Sequence, residues 1–521
     1  MRRSGAGALL GGFALLLAAC SGGGDGGAAN GSVVGTTGAP AGSGAAISTT
    51  AGSAPTSTAT TVAGHAGALE RWPCPAGTPA DAVCHRIDVP ADWSQPDGAT
   101  VSLPIAVLPA TGTARQPDAI VVPAGGPGFD GLGDAEHYST SPLRTARDIV
   151  LYDQRGTGRA EPSLECPERD AAWEANLQRD APFAVERAAI VEGLAACRRR
   201  LEAAGVDLGD YDTEASVRDL DQIRAALGYD RWNLLGISYG ARLSLAAMRS
   251  TPEHLRSVIL DSVYDVTGGG LAAQASSAER AFRQLADGCA ADPTCHAAHP
   301  DVAATIDAVR QRYNATPIQV DVDLERGAGP QHWVITGDDA MAGLFNALYD
   351  ASLIPALPSL LDSLAAGDTA IVPALIRRGV GFATAAADGM QMSVDCADNA
   401  GLGEAADVAA IADPGRTRLI VTSALCSEWP VPATSATFNE PVVSPVPTLV
   451  LAGAYDPITP PAGTQAVASR LPHAGFGLWP NRGHGVTGDP CARQVEAAFL
   501  ADPAAPVDLG CLALVPGPAF T

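Results

Sequence analysis

Gly236-Ile237-Ser238-Tyr239-Gly240 is the segment of this chain best suited to chemistry. A serine hydroxyl is a weak nucleophile at neutral pH, so it needs an exposed position and an adjacent base. The residues before it, Arg231-Trp232-Asn233-Leu234-Leu235, read as a short buried strand, and residues 241–248 read as a helix with an apolar face. A strand that turns sharply into a helix through small residues lifts the serine Oγ clear of the backbone, as in a nucleophile elbow. With 57 glycines in the chain, G-x-S-x-G alone is a weak signal, and the strand before it and helix after it carry the argument.

Sites built on such an elbow place an acid and then a histidine downstream of the serine. Asp456 follows an apolar run at 446–453, and His484 follows Gly475-Phe476-Gly477-Leu478-Trp479. Both fall just past the carboxyl end of a strand, where parallel sheets assemble their sites. Asp261 also follows a strand and is the rival acid, while Asp456 also reads as an ordinary turn residue before Pro457. His473, His296 and His299 are the rival bases. Gly483 and Gly485 favour His484, because they suit a loop that must come close to the elbow. Acyl transfer also needs donors for an oxyanion. The Tyr239 N–H is one candidate, and Gly126 within Ala124-Gly125-Gly126-Pro127-Gly128 is the other, since Pro127 has no N–H. Read alone, that Gly/Pro cluster is a turn. This set of groups calls for no cofactor and no metal.

Short apolar strands at 101–108, 119–123, 147–152 and 255–260 alternate with helical periodicity over 188–204 and 215–227. Alternation of this kind implies an α/β fold, a mostly parallel sheet with helices on both faces. Strand signals thin out between 265 and 440, where alanine-rich helical stretches such as 272–286 and 339–364 dominate, the latter broken at Pro355 and Pro358. The expected plan is a sheet domain in two parts, 69–264 and 441–521, interrupted by a mostly helical insertion over 265–440.

Residues 1–19 read as an export signal. Arg2 and Arg3 precede an apolar run too short to span a bilayer, which ends Leu17-Ala18-Ala19-Cys20 and resembles a bacterial lipoprotein signal with Cys20 as the lipidated residue. Residues 20–68, almost all Gly, Ala, Ser and Thr, read as a flexible tether. The chain has no lysine and a formal net charge of −24, which argues against nucleic acid as a partner and against docking on anionic lipid headgroups. Membrane contact is then expected only through the anchor at Cys20. The ten other cysteines fall into sequential pairs, Cys74/Cys84, Cys166/Cys197, Cys289/Cys295, Cys396/Cys426 and Cys491/Cys511. An even number in an exported chain, with no C-x-x-C spacing, points to disulfides rather than zinc.

Gly125-Gly126-Pro127-Gly128, the segment Tyr152-Asp153-Gln154-Arg155-Gly156-Thr157-Gly158-Arg159, the elbow and the Asp456 and His484 loops together resemble the proline iminopeptidase and tripeptidyl aminopeptidase group of α/β-hydrolases. The resemblance spans about residues 72–515 and is strongest to the secreted branch with a helical cap and a TAP-like C-terminal region. Ala124 stands where that group usually has histidine, and Ala160 where serine often follows. The resemblance implies an α/β-hydrolase fold with a helical cap, and hydrolysis of short peptides from a free N-terminus, or of esters and amides with a similar acyl part. It also implies an anion in the cap that holds the substrate ammonium. Asp395 and Glu428, beside Cys396 and Cys426, are candidates, although in so acidic a chain both also read as solvated surface acids. The expectation is therefore an exported serine hydrolase of aminopeptidase type. A carboxylesterase with the same triad is the alternative, and a non-catalytic surface-binding protein on this fold is a second.

Overall fold

The computed structural model describes residues 67–267, 270–400, 402 and 426–521. Its centre is a nine-stranded sheet ordered β1-β2-β3-β5-β4-β6-β7-β10-β11. β1 (Glu70–Arg71), β2 (Val83–Pro90), β3 (Thr100–Leu108) and β5 (Ile149–Tyr152) pair antiparallel in that sequence. β5, β4 (Ile120–Val122), β6 (Trp232–Ile237), β7 (Leu255–Asp261), β10 (Thr448–Gly453) and β11 (Ala474–Trp479) run parallel. The strand after β4 lies on one side of it and the next on the other, so the topology reverses at β4. Ligand sites of open parallel sheets form at the carboxyl end of such a reversal.

The parallel strands are apolar on both sides because helices cover both faces. Val121, Leu234, Val258 and Val450 enter one core, while their neighbours Ile120, Leu235, Ile259 and Leu449 enter the other. The helix Thr213–Leu227 is capped by Asp212, whose carboxylate accepts from Ala215 N, and ends on Gly228 at φ 81°. A glycine there takes the left-handed turn that closes a helix at little steric cost.

The insertion has a core of its own. Phe282 from Gly270–Ala291, Trp333 from the hairpin β8 (Ile318–Val322) and β9 (Gln331–Ile335), and Phe345 from Gly337–Ala347 pack together with Leu361 of Leu357–Ala366 and Val380 of Val372–Ala383. The helical stretch expected over 339–364 divides into Gly337–Ala347 and Leu357–Ala366, with a short 3₁₀ turn at Ile354–Ala356 carrying Pro355. The hairpin was not expected from the sequence pattern. The next helix, Asp388–Asp398, buries Met390, Met392 and Val394 in the core of the sheet domain instead. The mostly helical insertion therefore returns to the sheet well before residue 440.

The ten cysteines pair in sequence order: Cys74–Cys84, Cys166–Cys197, Cys289–Cys295, Cys396–Cys426 and Cys491–Cys511. Their Cα separations of 5.1 to 5.8 Å lie in the range a disulfide spans. Cys20 lies outside the described residues.

Candidate active site

Ser238 joins β6 to the helix Tyr239–Ser250 with φ 61° and ψ −119°, a conformation that costs a non-glycine residue energy and is held by its surroundings. Those surroundings are close. A Cβ on Gly236 would sit 2.3 Å from the Gly240 carbonyl oxygen, and one on Gly240 would sit 2.3 Å from that of Pro123. Glycine at both positions is what lets strand, helix and the β4 loop meet. The Ser238 N–H donates to the Asp261 carbonyl at 3.0 Å, tying the elbow to the end of β7.

The β4 loop runs alongside. A Cβ on Gly125 would lie 3.7 Å from that of Ser238, and Gly126 has φ 109°. Among the described residues no hydrogen bond engages the N–H of Gly126 or of Tyr239. The Asp-Gln-Arg-Gly segment supports this loop. Gln154 Nε2 donates to the Ala124 carbonyl at 2.9 Å, and Asp153 accepts from the N–H groups of Gly131, Leu132 and Arg159 at 2.8 to 3.0 Å. Arg155, fully buried, forms a fork with Asp219 at 2.6 and 2.7 Å. Sequence reasoning singled this segment out without assigning these roles.

Asp456 and His484 meet past the ends of β10 and β11, with His484 Nδ1 2.9 Å from Asp456 Oδ2. The other Asp456 oxygen accepts from the N–H groups of Ile458 and Thr459 at 2.9 and 2.8 Å. Thr459 Oγ1 donates to Oδ2 at 2.6 Å and lies 3.2 Å from His484 Nδ1. Burial works against the Asp456 carboxylate, but His484 and these donors outweigh it and bring its pKa below the usual value. Burial likewise opposes the imidazolium, yet Asp456, its hydrogen bond and Asp261 raise the His484 pKa above 6.5. Ser238 Oγ makes no hydrogen bond to His484 among the described residues; in free enzymes this contact is often long and tightens around substrate.

Asp261, the rival acid, has a different task. It accepts from the N–H groups of Val486 and Thr487 at 2.6 and 3.0 Å and from Ser262 Oγ at 3.0 Å, so it pins the loop that carries His484. Burial pushes its pKa up to about 6. Of the rival bases, His473 and His296 are exposed. His299 pairs with Asp362 at 2.6 Å and lies 3.2 Å from Ser359 Oγ, three residue types of the right kind. That serine, however, sits within the regular helix Leu357–Ala366 and donates to the Thr521 carbonyl, with no strained turn to expose it.

The insertion touches the site at several points. Arg280 donates to the carbonyls of Ala454 and Asp456, the former at 3.1 Å. Tyr349 lies 4.9 Å from the His484 ring centroid. Ala387 N donates to the Gly128 carbonyl at 2.9 Å, seating the start of Asp388–Asp398 on the β4 loop. Neither Thr459 nor these contacts was read from the sequence. The D-x-x-T spacing offered a signal for Thr459, whereas the others depend on how the insertion folds back. The Cys396–Cys426 bond brings the segments of Asp395 and Glu428 together. Glu428 is exposed, and Asp395 is near enough to the buried Arg242 and to Tyr264 to act on both electrostatically.

The sheet order, the elbow serine at β6 and the acid and histidine past β10 and β11 define an α/β-hydrolase, and the chain is a serine hydrolase. Within that class, its C-terminal part is similar to the family described as TAP-like protein, which matches residues 415–511. Serine protease Hip1 of Mycobacterium tuberculosis is 28% identical over 451 residues, 81% of this chain and 85% of that protein. Tripeptidyl aminopeptidase of Streptomyces lividans is 31% identical over 194 residues, 34% of this chain and 35% of that protein. Carboxylesterase B of Mycobacterium tuberculosis is 28% identical over 409 residues, 72% of this chain and 76% of that protein.

Proposed function

We propose that this chain is an exported aminopeptidase that releases residues or short peptides from free N-termini through an acyl-enzyme. Ser238 is the nucleophile, His484 the base and Asp456 the acid that orients it. The observation that carries the assignment is the 2.9 Å contact between His484 Nδ1 and Asp456, which leaves Nε2 for the serine. In the first half-reaction His484 takes the Ser238 proton as Oγ attacks the scissile carbonyl. The oxyanion is received by the N–H groups of Tyr239 and Gly126. Collapse breaks the C–N bond, and His484 passes its proton to the departing amine. Water, deprotonated by the same imidazole, then attacks the ester and releases Ser238. Asp456 keeps Nδ1 protonated and stabilises the transient imidazolium.

Support for a peptidase comes from the relatives named a serine protease and a tripeptidyl aminopeptidase. The relative named a carboxylesterase supports the second reading, an esterase with the same triad. A panel of aminoacyl, dipeptidyl and tripeptidyl 4-nitroanilides beside simple 4-nitrophenyl esters separates the two. Ser238→Ala is expected to lose roughly a millionfold in kcat and all labelling by a fluorophosphonate probe. Turnover within about tenfold of wild type would remove Ser238 from the mechanism, being far short of that scale. A wild-type chain inert to the probe and to every substrate would favour the binding-protein reading.

Asp395 and Glu428 remain the proposed anchors for the substrate ammonium, with the Arg242 cation beside Asp395 and the exposure of Glu428 both weighing against a strong hold. If either acts, N-acetylation of a peptide anilide lowers kcat/KM about ten- to a hundredfold. Equal cleavage of free and acetylated substrates leaves no role for such an anchor. Export and lipidation at Cys20 belong to the same proposal and rest on the sequence of residues 1–20.

A further inference from the structure

We propose that an aromatic wall donated largely by the insertion selects substrates with a large apolar side chain on the acyl side of the scissile bond. The inference rests on the hydrolytic reading of Ser238 and His484 and adds to it the class of acyl group.

The wall is a chain of rings. Phe129 lies 5.8 Å from Phe382, Phe382 lies 5.4 Å from Tyr349, and Tyr349 lies 4.9 Å from His484. Phe345 backs Tyr349 edge-on at 5.4 Å. The rings meet at tilted or edge-on angles that suit the charge distribution of aromatic faces and edges. Phe129 is three residues past Gly126, and the other end of the chain is the base itself. The wall therefore joins the two loops that flank Ser238, the β4 loop and the His484 loop.

These rings are not ordinary core. Phe382 is 39% exposed, and Phe129 and Tyr349 are half-buried, whereas Phe345 behind them is buried. Aromatic surface left accessible beside a catalytic base marks a place for an apolar ligand group. The nearest charges cancel. Arg378, one turn before Phe382 on the same helix, pairs with Asp350, the neighbour of Tyr349, at 2.9 Å. At the other end of the wall Asp130, next to Phe129, faces Arg159 at 3.7 Å, so each of these two ion pairs is neutral in itself. Gly379, which shares a helix face with Phe382 three residues on, and Gly381 beside it have only open space where a side chain would be. Neither glycine therefore crowds the ring.

The acyl side is favoured because its carbonyl is the part fixed at the β4 loop, where Phe129 begins the wall, and because it stays bound through both half-reactions. A leaving amine departs after the first.

The test compares wild type, Phe382→Ala, Phe382→Leu and Phe129→Ala. The substrates are free-amine peptide 4-nitroanilides that differ only in alanine, leucine or phenylalanine before the cleaved bond. 4-Nitrophenyl acetate and 4-nitrophenyl 3-phenylpropionate are run beside them. Wild type is expected to prefer the large acyl groups. Phe382→Ala is expected to lower the phenylalanyl-to-alanyl ratio of kcat/KM about tenfold, the scale of discrimination an apolar pocket reaches, with Phe382→Leu in between. If Phe382→Ala does not fold, Phe129→Ala reads the same ratio from the other side of the wall. A wild type without preference, or an equal loss on all acyl groups, overturns the proposal. So does a loss that follows the leaving group instead of the acyl group. If esters are hydrolysed and no anilide is, the peptidase reading fails while the ester pair still reports on the wall.

Discussion

His484 stands between two buried carboxylates whose surroundings push them in opposite directions. Asp456, hydrogen-bonded to Nδ1 and to three further donors, is held below the usual carboxylate range, whereas burial raises Asp261 to about 6. Both negative charges favour the imidazolium, so the acid limb of kcat/KM is expected above the ordinary histidine value of 6.5. Asp456→Asn removes the stronger of the two, so the limb moves to lower pH while kcat falls about ten-thousandfold. A limb that stays in place would detach the histidine from Asp456; pH–rate profiles of wild type and variant decide it. Thr459 belongs to the same cluster. Its Oγ1 donates to the carboxylate oxygen that His484 also uses, at 2.6 Å. Thr459→Ala takes away one charge-assisted hydrogen bond, so Asp456 is less firmly placed and kcat drops on the order of tenfold. Thr459→Ser, which keeps the hydroxyl, restores most of it. Loss in both variants alike would mean that the methyl packing matters and not the hydrogen bond.

At the scale of elements, the helix Asp388–Asp398 is a strut between the β4 loop and the cap-proximal disulfide. Its start is bound to Gly128 through Ala387 N, and near its end Cys396 bonds Cys426. Replacing both cysteines by serine is expected to cost roughly 2–4 kcal/mol of stability, read from denaturant midpoints. Because the strut seats the loop with Gly126, kcat/KM falls as well, more in kcat than in KM. Unchanged stability and turnover would show the strut to be held by packing alone. What could be read in advance follows the same division. β4, β5, β6, β7 and β10 are short, mostly apolar runs buried on both faces, β11 is an apolar run at the sheet edge, and each announces itself locally. Ser238, Asp456 and His484 lie on loops that directly follow such runs, so chain order was enough to propose them. β2 mixes His85, Arg86 and Asp88 among its apolar residues and gave no clean run. Tyr349, Phe382 and Arg280 gave no local sign because they reach the site only after the insertion folds back over it. The alanine-rich pattern of residues 265–440 reports helices but not which core each helix joins.

Across the whole molecule, the proposed catalytic groups and the proposed lipid anchor lie far apart in the sequence. Every group assigned to the site lies between Gly126 and His484, and no helix among the described residues is long and apolar enough to cross a membrane. A net charge of −24 repels anionic headgroups, so any membrane hold must come from elsewhere. The Leu-Ala-Ala-Cys20 sequence is the one feature proposed to supply it, through acyl chains that each add about 0.8 kcal/mol per buried methylene. Expressed in a bacterial host, the full chain is therefore expected to enter the detergent phase in Triton X-114 partition, and Cys20→Ser to move to the aqueous phase. With a soluble ester the two proteins are expected to turn over at the same kcat/KM within about twofold, the scale of a substitution outside the site, since every group proposed for catalysis lies between Gly126 and His484. Mass spectrometry of the mature N-terminus reads the acyl chains directly. A wild-type chain found in the aqueous phase, or a Cys20→Ser chain that stays with the detergent, would end the lipoprotein reading. Equal kcat/KM in that case would still leave the hydrolase reading standing.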